Sequence, residues 1–199
     1  MSDTPLWKPA SQRVDTANIT EFTTRAAERW TRELGDYDAL HRWSVEQPEE
    51  FWLSVWDDAP VIASTPPGPV LLDADRMPGA RWFPEAKLNY AETLLRRNDD
   101  HQAMVFRDET GTTRRLTFAE VSTEVARVAA ALRAVGVGPG DRVAGYLPNM
   151  PETIIAMLGA ASVGAIWSSC SPDFGVQGVL DRFGQVEPKV FIGVNAYYY

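Results

Sequence analysis

The fold is decided by the stretch Arg142-Val143-Ala144-Gly145-Tyr146-Leu147, a short apolar run that is soon followed by Pro151. Such a run predicts a strand, and Pro151 is well placed to open a helix. The alternation continues downstream, with strands predicted at 165–168 and 189–194 and a helix predicted at 176–185. Helices that alternate with short apolar strands predict an α/β fold, with a mostly parallel sheet and helices on both faces.

Two loops are expected at the functional edge of this sheet. In open α/β sheets, ligands bind beyond the carboxyl ends of the strands. The loops in that position are 148–151, which follows the first predicted strand, and 169–175, which follows the second.

The segment just upstream predicts a hairpin and a long helix. Strands at 103–106 and 113–116 flank a turn at 108–111. Thr117 and Glu120 have the spacing of a capping box that opens the helix, and Gly136 can end it. The predicted inward stripe of this helix consists of Val121, Val125, Val128, Leu132 and Val135.

The first hundred residues predict aromatic helices and a stiff connector. Apolar residues recur at helical spacing from Ile19 to Leu34, where Gly35 can end a helix. A second helix is predicted to begin at Pro48, and its aromatic side chains are interpreted as packing. Residues 57–84 contain six prolines and two glycines, which favours an irregular connector. A short helix is predicted after Pro84, with inward side chains at Leu88, Ala91 and Leu95.

Composition excludes several classes of protein. Hydrophobic residues make up 45% of the 199 residues, which is more than a disordered chain contains. The net charge of −8 disfavours nucleic acid as a partner, because an acidic surface repels a phosphate backbone. The N-terminus lacks the basic and apolar segments of a secretory signal, so a cytoplasmic location is expected. Residues 153–172 carry no charge, but their glycines and serines favour a helix and a strand over a membrane span.

Cysteine and histidine usage gives no sign of a metal site. The single cysteine, Cys170, cannot form an internal disulfide, and it is interpreted as a small packing residue at a strand end rather than a nucleophile. His41 and His101 lie far apart in the sequence and are interpreted as surface or packing residues. No metal ligand and no catalytic residue is predicted.

Several motifs carry a resemblance to a known family. The string 140–149, which includes the fold-deciding strand, resembles the early region of acyl-CoA synthetases of the adenylate-forming superfamily. Residues 164–169, 171–176 and 178–183 resemble the branch of that family that acts on acetoacetate. Three upstream pieces agree with the N-terminal domain of the same enzymes: 37–46, then 51–52, and then 82–83 with 88–92.

The resemblance implies both a domain organisation and a reaction. Residues 1–98 are expected to form an N-terminal lead-in domain with the connector 57–84, and residues 99–199 the first part of an AMP-dependent synthetase/ligase domain. The implied reaction needs ATP, Mg²⁺ and coenzyme A (CoA). A carboxylate, acetoacetate in this branch, attacks the α-phosphate of ATP and releases pyrophosphate. The thiol of CoA then displaces AMP from the acyl-adenylate and forms a thioester.

The phosphate-binding loop of the family has no match in this sequence. That loop is rich in Ser, Thr and Gly and ends in Lys, whereas Thr110-Gly111-Thr112-Thr113 lacks the lysine and is interpreted as a β-turn. The later adenine-binding and catalytic segments are also absent. The chain is therefore expected to be an N-terminal fragment that is inactive alone.

Part of a CoA site could remain in the chain. The resemblance implies that the loop at Ser171, Pro172 and Asp173, together with Tyr199, approaches the nucleotide end of CoA. The competing interpretation, which residue preferences favour, is that Asp173 caps the helix that opens at Phe174 or Gly175.

Two other functions stay open at the level of sequence. One is a stand-alone, non-catalytic module that binds a nucleotide, CoA or another partner. The other is a fragment of a different short-chain acyl-CoA synthetase, although residues 171–175 differ from the acetyl-CoA synthetases, which have a Phe-Gly-Gly-Phe-Ser run there.

Overall fold

The computed structural model describes residue 5 and residues 7–198. Contacts between Cα atoms divide the chain into two compact units, Met1–Lys87 and Leu88–Tyr199, here called unit 1 and unit 2. The predicted domain boundary between residues 98 and 99 stays a prediction.

The described residues of unit 1 form four helices and short strands. The helices are α1 (Ser11–Asp15), α2 (Asn18–Trp30), α3 (Tyr37–Glu46) and α4 (Pro48–Asp58). The strands are β1 (Ala63–Thr65), β2 (Leu71–Leu72), β3 (Arg81–Trp82) and β4 (Lys87–Leu88), which continues one residue into unit 2. A cluster of Ala26, Leu34, Leu40 and Trp43 forms the buried core of the helices.

Three sequence predictions about unit 1 need correction. Helix α2 ends at Trp30, because Thr31 adopts a left-handed conformation with φ 51°, so the helix does not reach Gly35. Helix α3 was not predicted; it begins at Tyr37, and the carboxylate of its N-cap, Asp36, accepts a hydrogen bond from the backbone N–H of Ala39. The Pro-rich connector contains β2 and β3, which pair as an antiparallel ribbon. The predicted start of α4 at Pro48 is confirmed.

Unit 2 alternates helices and strands. Its helices are α5 (Tyr90–Leu94), α6 (Phe118–Ala134), α7 (Pro151–Ser162) and α8 (Val176–Val186). Its strands are β5 (Gln102–Arg107), β6 (Thr113–Thr117), β7 (Arg142–Tyr146), β8 (Ile166–Cys170) and β9 (Val190–Gly193). Strands β5 and β6 form the predicted antiparallel hairpin. The other three form a parallel sheet in the order β8-β7-β9. Beyond these three strands, a mostly parallel sheet is not confirmed.

The fold-deciding stretch forms the centre of the parallel sheet. Val143 and Ala144 of β7 are fully buried, and β7 has a parallel neighbour on each side. Val143 packs with side chains of α6 and α7, among them Leu132 and Ala160. The backbone N–H groups that follow β7 and β9 continue the ladder into the loops, since Leu147 N donates to Cys170 O and Val194 N donates to Tyr146 O. The sheet therefore gives the loops at its carboxyl edge a fixed base.

The long helix α6 forms as the sequence predicts, with one exception in its stripe. The side chain of Thr117 accepts from the N–H of Glu120, and the Glu120 carboxylate accepts from the N–H of Thr117. Val121, Val125 and Leu132 are buried, but Val135 is 62% exposed, because the helix ends at Ala134 and the chain turns at Gly136 with φ 79°.

Two further predictions about unit 2 are settled. The predicted short helix after Pro84 begins later, at Tyr90, because the side chain of Asn89 accepts from the N–H groups of Ala91 and Glu92; Leu88 is 48% exposed. Residues 153–172 form most of α7 and all of β8, as predicted. Within the part of the chain that the structure describes, no helix is long and apolar enough to cross a membrane.

Candidate ligand-binding cleft

A cleft of about 550 Å³ lies at the carboxyl edge of the parallel sheet in unit 2. Residues from the loops after all three parallel strands line it: Pro148, Asn149 and Met150 after β7, Ser171 and Asp173 after β8, and Val194, Ala196, Tyr197 and Tyr198 after β9. The cleft thus brings the two predicted functional loops together. This is the position where α/β sheets place ligands.

The end of the β5–β6 hairpin forms the opposite wall, which the sequence interpretation missed. Phe106, Arg107, Asp108 and Glu109 line the cleft beside the sheet loops. The hairpin is joined to the rest of unit 2 by an ion pair between Arg114 and Glu152 at 2.6 Å, at the start of α7. The sequence pattern of the hairpin did not predict its contact with α7, because Arg114 and Glu152 are far apart in sequence.

The hairpin turn is closed by its own carboxylate. Asp108 accepts hydrogen bonds from the hydroxyl and N–H of Thr110 and from the N–H of Thr112. The Thr110 hydroxyl bond is the largest cause that lowers the pKa of Asp108, and the N–H bonds add to it. The N–H groups that a phosphate loop would direct at its ligand are here directed at Asp108. The predicted β-turn at 108–111 is therefore confirmed, since Gly111 N donates to Asp108 O, and Thr113 begins β6 as predicted.

Asp173 lies in the cleft but does not cap α8. The N-cap of α8 is Gly175, which has no side chain that could accept a hydrogen bond from the first turn. The Asp173 carboxylate instead accepts from the hydroxyl of Ser171 at 2.6 Å and from the hydroxyl of Tyr197 at 2.6 Å. The Ser171 bond first, and then the Tyr197 bond, lowers the pKa of Asp173. The favoured capping interpretation was wrong, because the carboxylate faces a residue 24 positions away rather than the helix.

The other predicted site residues have different positions. Pro172 contributes its backbone carbonyl, which accepts from the hydroxyl of Tyr146 at 2.6 Å. Tyr199 lies outside the described residues, so its predicted role stays a prediction. Cys170 is buried at the end of β8, and burial raises the pKa of its thiol, which confirms a packing role.

The charges of the cleft are mainly negative. Three carboxylates, Asp108, Glu109 and Asp173, line it with one cation, Arg107. These negative charges would repel a polyphosphate that approached within a few ångströms of them. The neighbourhood of Asp173 therefore suits a neutral group that donates hydrogen bonds, such as an adenine amino group or a ribose hydroxyl.

A second cleft, of about 570 Å³, lies between α2 and α4 in unit 1. Its charged side chains pair with one another, Arg25 with Asp58 and Arg29 with Asp57. Because these charges are already compensated, the cleft in unit 2 is the better candidate for ligand binding.

Comparison with known families decides where the chain belongs. The profile of the family described as AMP-binding enzyme matches residues 91–197, more than half of the chain and nearly all of unit 2. The chain belongs to this family. A second profile, described as acetyl-coenzyme A synthetase N-terminus, matches residues 37–94.

Individual members of this AMP-binding enzyme family match 98–100% of the chain. The acetoacetyl-coenzyme A synthetase of Rhizobium meliloti (strain 1021) is 52% identical over 198 residues, which are 100% of this chain and 30% of the relative. The acetoacetyl-CoA synthetase of Xenopus tropicalis is 41% identical over 98% of this chain and 29% of its own length. The solved structure of acetoacetyl-CoA synthetase from Streptomyces lividans superposes with a TM-score of 0.92 at 50% identity, covering 98% of this chain and 31% of that one. The chain thus spans about 30% of the length of the relatives it matches.

Proposed function

We propose that this chain serves in an ATP-dependent acid–thiol ligase that converts acetoacetate and CoA to acetoacetyl-CoA, with AMP and pyrophosphate as the other products. The observation that carries the proposal is the 52% identity to the Rhizobium meliloti acetoacetyl-coenzyme A synthetase over the whole chain. A shared fold alone would not support a substrate assignment, because one fold can serve many reactions. Sequence identity of this level over the whole chain supports a shared reaction as well.

The proposal extends to the architecture. Residues 1–98 would form the lead-in domain of the ligase, and residues 99–199 the first part of its AMP-dependent synthetase domain. The parallel strands β7, β8 and β9 would be part of a larger, mostly parallel sheet with helices on both faces.

Within this ligase, the role proposed for the cleft is binding of the nucleotide end of CoA at Ser171, Pro172 and Asp173. Three features support it: the position of the loop at the carboxyl edge, the cleft volume of about 550 Å³, and the acceptor atoms of Asp173. The acidic lining favours an orientation in which the adenine or ribose contacts Asp173 and the phosphates lie away from it.

ATP and Mg²⁺ are assigned to the ligase but not to this cleft. The sequence has no Ser/Thr/Gly loop ending in Lys to surround phosphate oxygens. Among residue 5 and residues 7–198, no group of three His, Cys, Asp or Glu side chains could hold a metal ion. The described residues therefore offer no site in which protein side chains alone surround Mg²⁺, an ion that is usually held by one or two carboxylates together with substrate phosphates.

An NMR titration of the ¹⁵N-labelled chain with CoA and, separately, with ATP tests the proposed site. We expect CoA to shift amide signals within 168–178, with an affinity of roughly millimolar, because few contacts offset the entropy of association. Ser171→Ala should weaken the response to CoA. Ser162→Ala is the matched control, since the Ser162 hydroxyl donates to Leu158 O within α7. A response to ATP alone, or one centred on Gly111, would contradict the assignment.

A further inference from the structure

Tyr146 occupies a junction between the parallel sheet and the cleft. It is the last residue of β7, and its ring packs against the buried cluster of Ala144, Cys170 and Phe183. The ring also stacks on Phe191 of β9, with centroids 6.4 Å apart and planes 28° apart. Because ring packing restricts the side chain, the position of the phenol hydroxyl is fixed by the core of unit 2.

The hydroxyl of Tyr146 reaches the backbone of the loop 171–175. It lies 2.6 Å from the carbonyl oxygen of Pro172 and 2.8 Å from that of Phe174. These two carbonyls flank Asp173 in the sequence, and they share the single hydroxyl proton of Tyr146, so this phenol contacts the backbone on both sides of Asp173. No backbone pairing within the loop does the same, since the hydrogen bond of Phe174 N to Ser171 O closes only the turn.

A second phenol holds the side chain of the same loop. Tyr197, in the segment after β9, donates its hydroxyl to Oδ1 of Asp173, while Ser171 donates to Oδ2. Each of the two carboxylate oxygens of Asp173 thus accepts a hydrogen bond from a different hydroxyl group. The loop is held by one tyrosine from the central strand of the sheet and by another from the segment after β9.

We propose that Tyr146 and Tyr197 are positioning residues for the loop 171–175, with Tyr146 setting its backbone and Tyr197 setting the carboxylate of Asp173. The proposal rests on the proposed function only where it assigns CoA as the ligand of that loop. A loop held in its binding conformation before the ligand arrives binds more tightly, because less ordering entropy is lost on binding. Neither tyrosine need touch the ligand through its hydroxyl.

The test uses Tyr146→Phe and Tyr197→Phe in the whole chain, with Tyr90→Phe as the matched control. Tyr90 is 57% exposed on α5 and does not line the cleft. We expect Tyr146→Phe to shift the carbonyl ¹³C signals of Pro172 and Phe174, and Tyr197→Phe to shift the carboxyl ¹³C signal of Asp173. We expect each change to weaken CoA binding roughly three- to tenfold, the effect of one hydrogen bond. Tyr90→Phe should change neither quantity.

The outcomes separate this inference from the proposed function. Unchanged ¹³C signals in both variants, measured in protein that melts at the wild-type temperature, would overturn the positioning role. Shifted ¹³C signals together with no response of the wild-type chain to CoA would support the positioning role and overturn the proposed CoA site. If Tyr146→Phe lowers the melting temperature, Tyr197→Phe carries the test, because Tyr197 is 38% exposed and lies outside the packed sheet.

Discussion

At the scale of the residue, Asp173 shows how the cleft depends on charge. Its carboxylate accepts two hydroxyl hydrogen bonds, from Ser171 and Tyr197, which stabilise the ionised form. These bonds lower its pKa in the folded chain. Because the pKa of Asp173 is lower in the folded chain than in the unfolded chain, ionisation of Asp173 stabilises the fold. This stabilisation is fully present above about pH 3.9, the ordinary pKa of Asp, and it is lost as the pH falls through the pKa of the folded chain.

This sign gives a pH prediction for Asp173. The carboxyl ¹³C signal of Asp173 should titrate with an apparent pKa below about 3.9. The side-chain signals of Tyr197 should change with the same midpoint, because protonation of the carboxylate weakens the oxygen that accepts from the Tyr197 hydroxyl. Tyr197→Phe should move the midpoint upward, while Tyr90→Phe should leave it in place. A midpoint at or above the ordinary aspartate value in the unmodified chain would mean that the two hydroxyl contacts do not form in solution.

The residue scale also shows what local sequence can and cannot predict. The packing role of Cys170 was predictable, because a lone cysteine without a neighbouring base in a strand-forming run has no activating group. The partner of Asp173 was not predictable, because Tyr197 reaches it only through the parallel pairing of β7 with β8 and β9. The position of Tyr146 near the carboxyl end of the predicted strand 142–147, shortly before Pro148, was the available signal that its hydroxyl lies at the carboxyl edge.

At the scale of the element, a helix end was predicted correctly where a local hydrogen-bond pattern defines it and incorrectly where no such pattern exists. The capping box of Thr117 and Glu120 is a local pattern of reciprocal hydrogen bonds, and it placed the start of α6 correctly. The end of α2 is set by a left-handed Thr31, which residue preferences do not favour. Leu34 is buried in the helical core although it lies beyond the helix. Leu34 is apolar because it packs in the core, and helical spacing alone could not distinguish a core residue beyond the helix from a residue within it.

The contact between α6 and α7 depends on a glycine. A Cβ atom at Gly159 would lie 2.5 Å from Cγ1 and 2.8 Å from Cβ of Val128. Gly159→Ala should therefore destabilise unit 2 by about 1–3 kcal/mol through overpacking. Urea unfolding, followed by the amide signals of α6, measures this change.

The matched control for this change is Gly184→Ala in α8. A Cβ atom at Gly184 meets no heavy atom within 4 Å, and alanine favours a helix by roughly 0.5–1 kcal/mol over glycine. We expect Gly184→Ala to leave stability unchanged or to raise it. Equal gains in stability from both substitutions would show that α6 and α7 are not in close contact at Gly159.

At the scale of the whole molecule, the chain has a candidate ligand cleft in unit 2 and spans about 30% of the length of the first relative it matches. The parallel order of β7, β8 and β9 was predictable from alternating helices and apolar runs, and so was the gathering of loops at their carboxyl edge. The hairpin wall of the cleft was not, because it depends on contacts between segments that no local pattern relates. The relatives that match are more than three times as long as the matched region, which is 30% of the first of them.

The proposed role of this chain in an acetoacetate-specific acid–thiol ligase is tested by exchanging a segment between enzymes. The segment of the Rhizobium meliloti relative that matches this chain is replaced with this chain, and acetoacetate-dependent thioester formation from ATP and CoA is followed. We expect a rate within roughly tenfold of the unaltered relative, a loss of about 1.4 kcal/mol or less in transition-state stabilisation. We also expect no acetoacetate-dependent release of pyrophosphate by this chain alone. A hybrid that folds and binds ATP but forms no thioester with acetoacetate would be evidence against the proposed role, and so would turnover by the isolated chain.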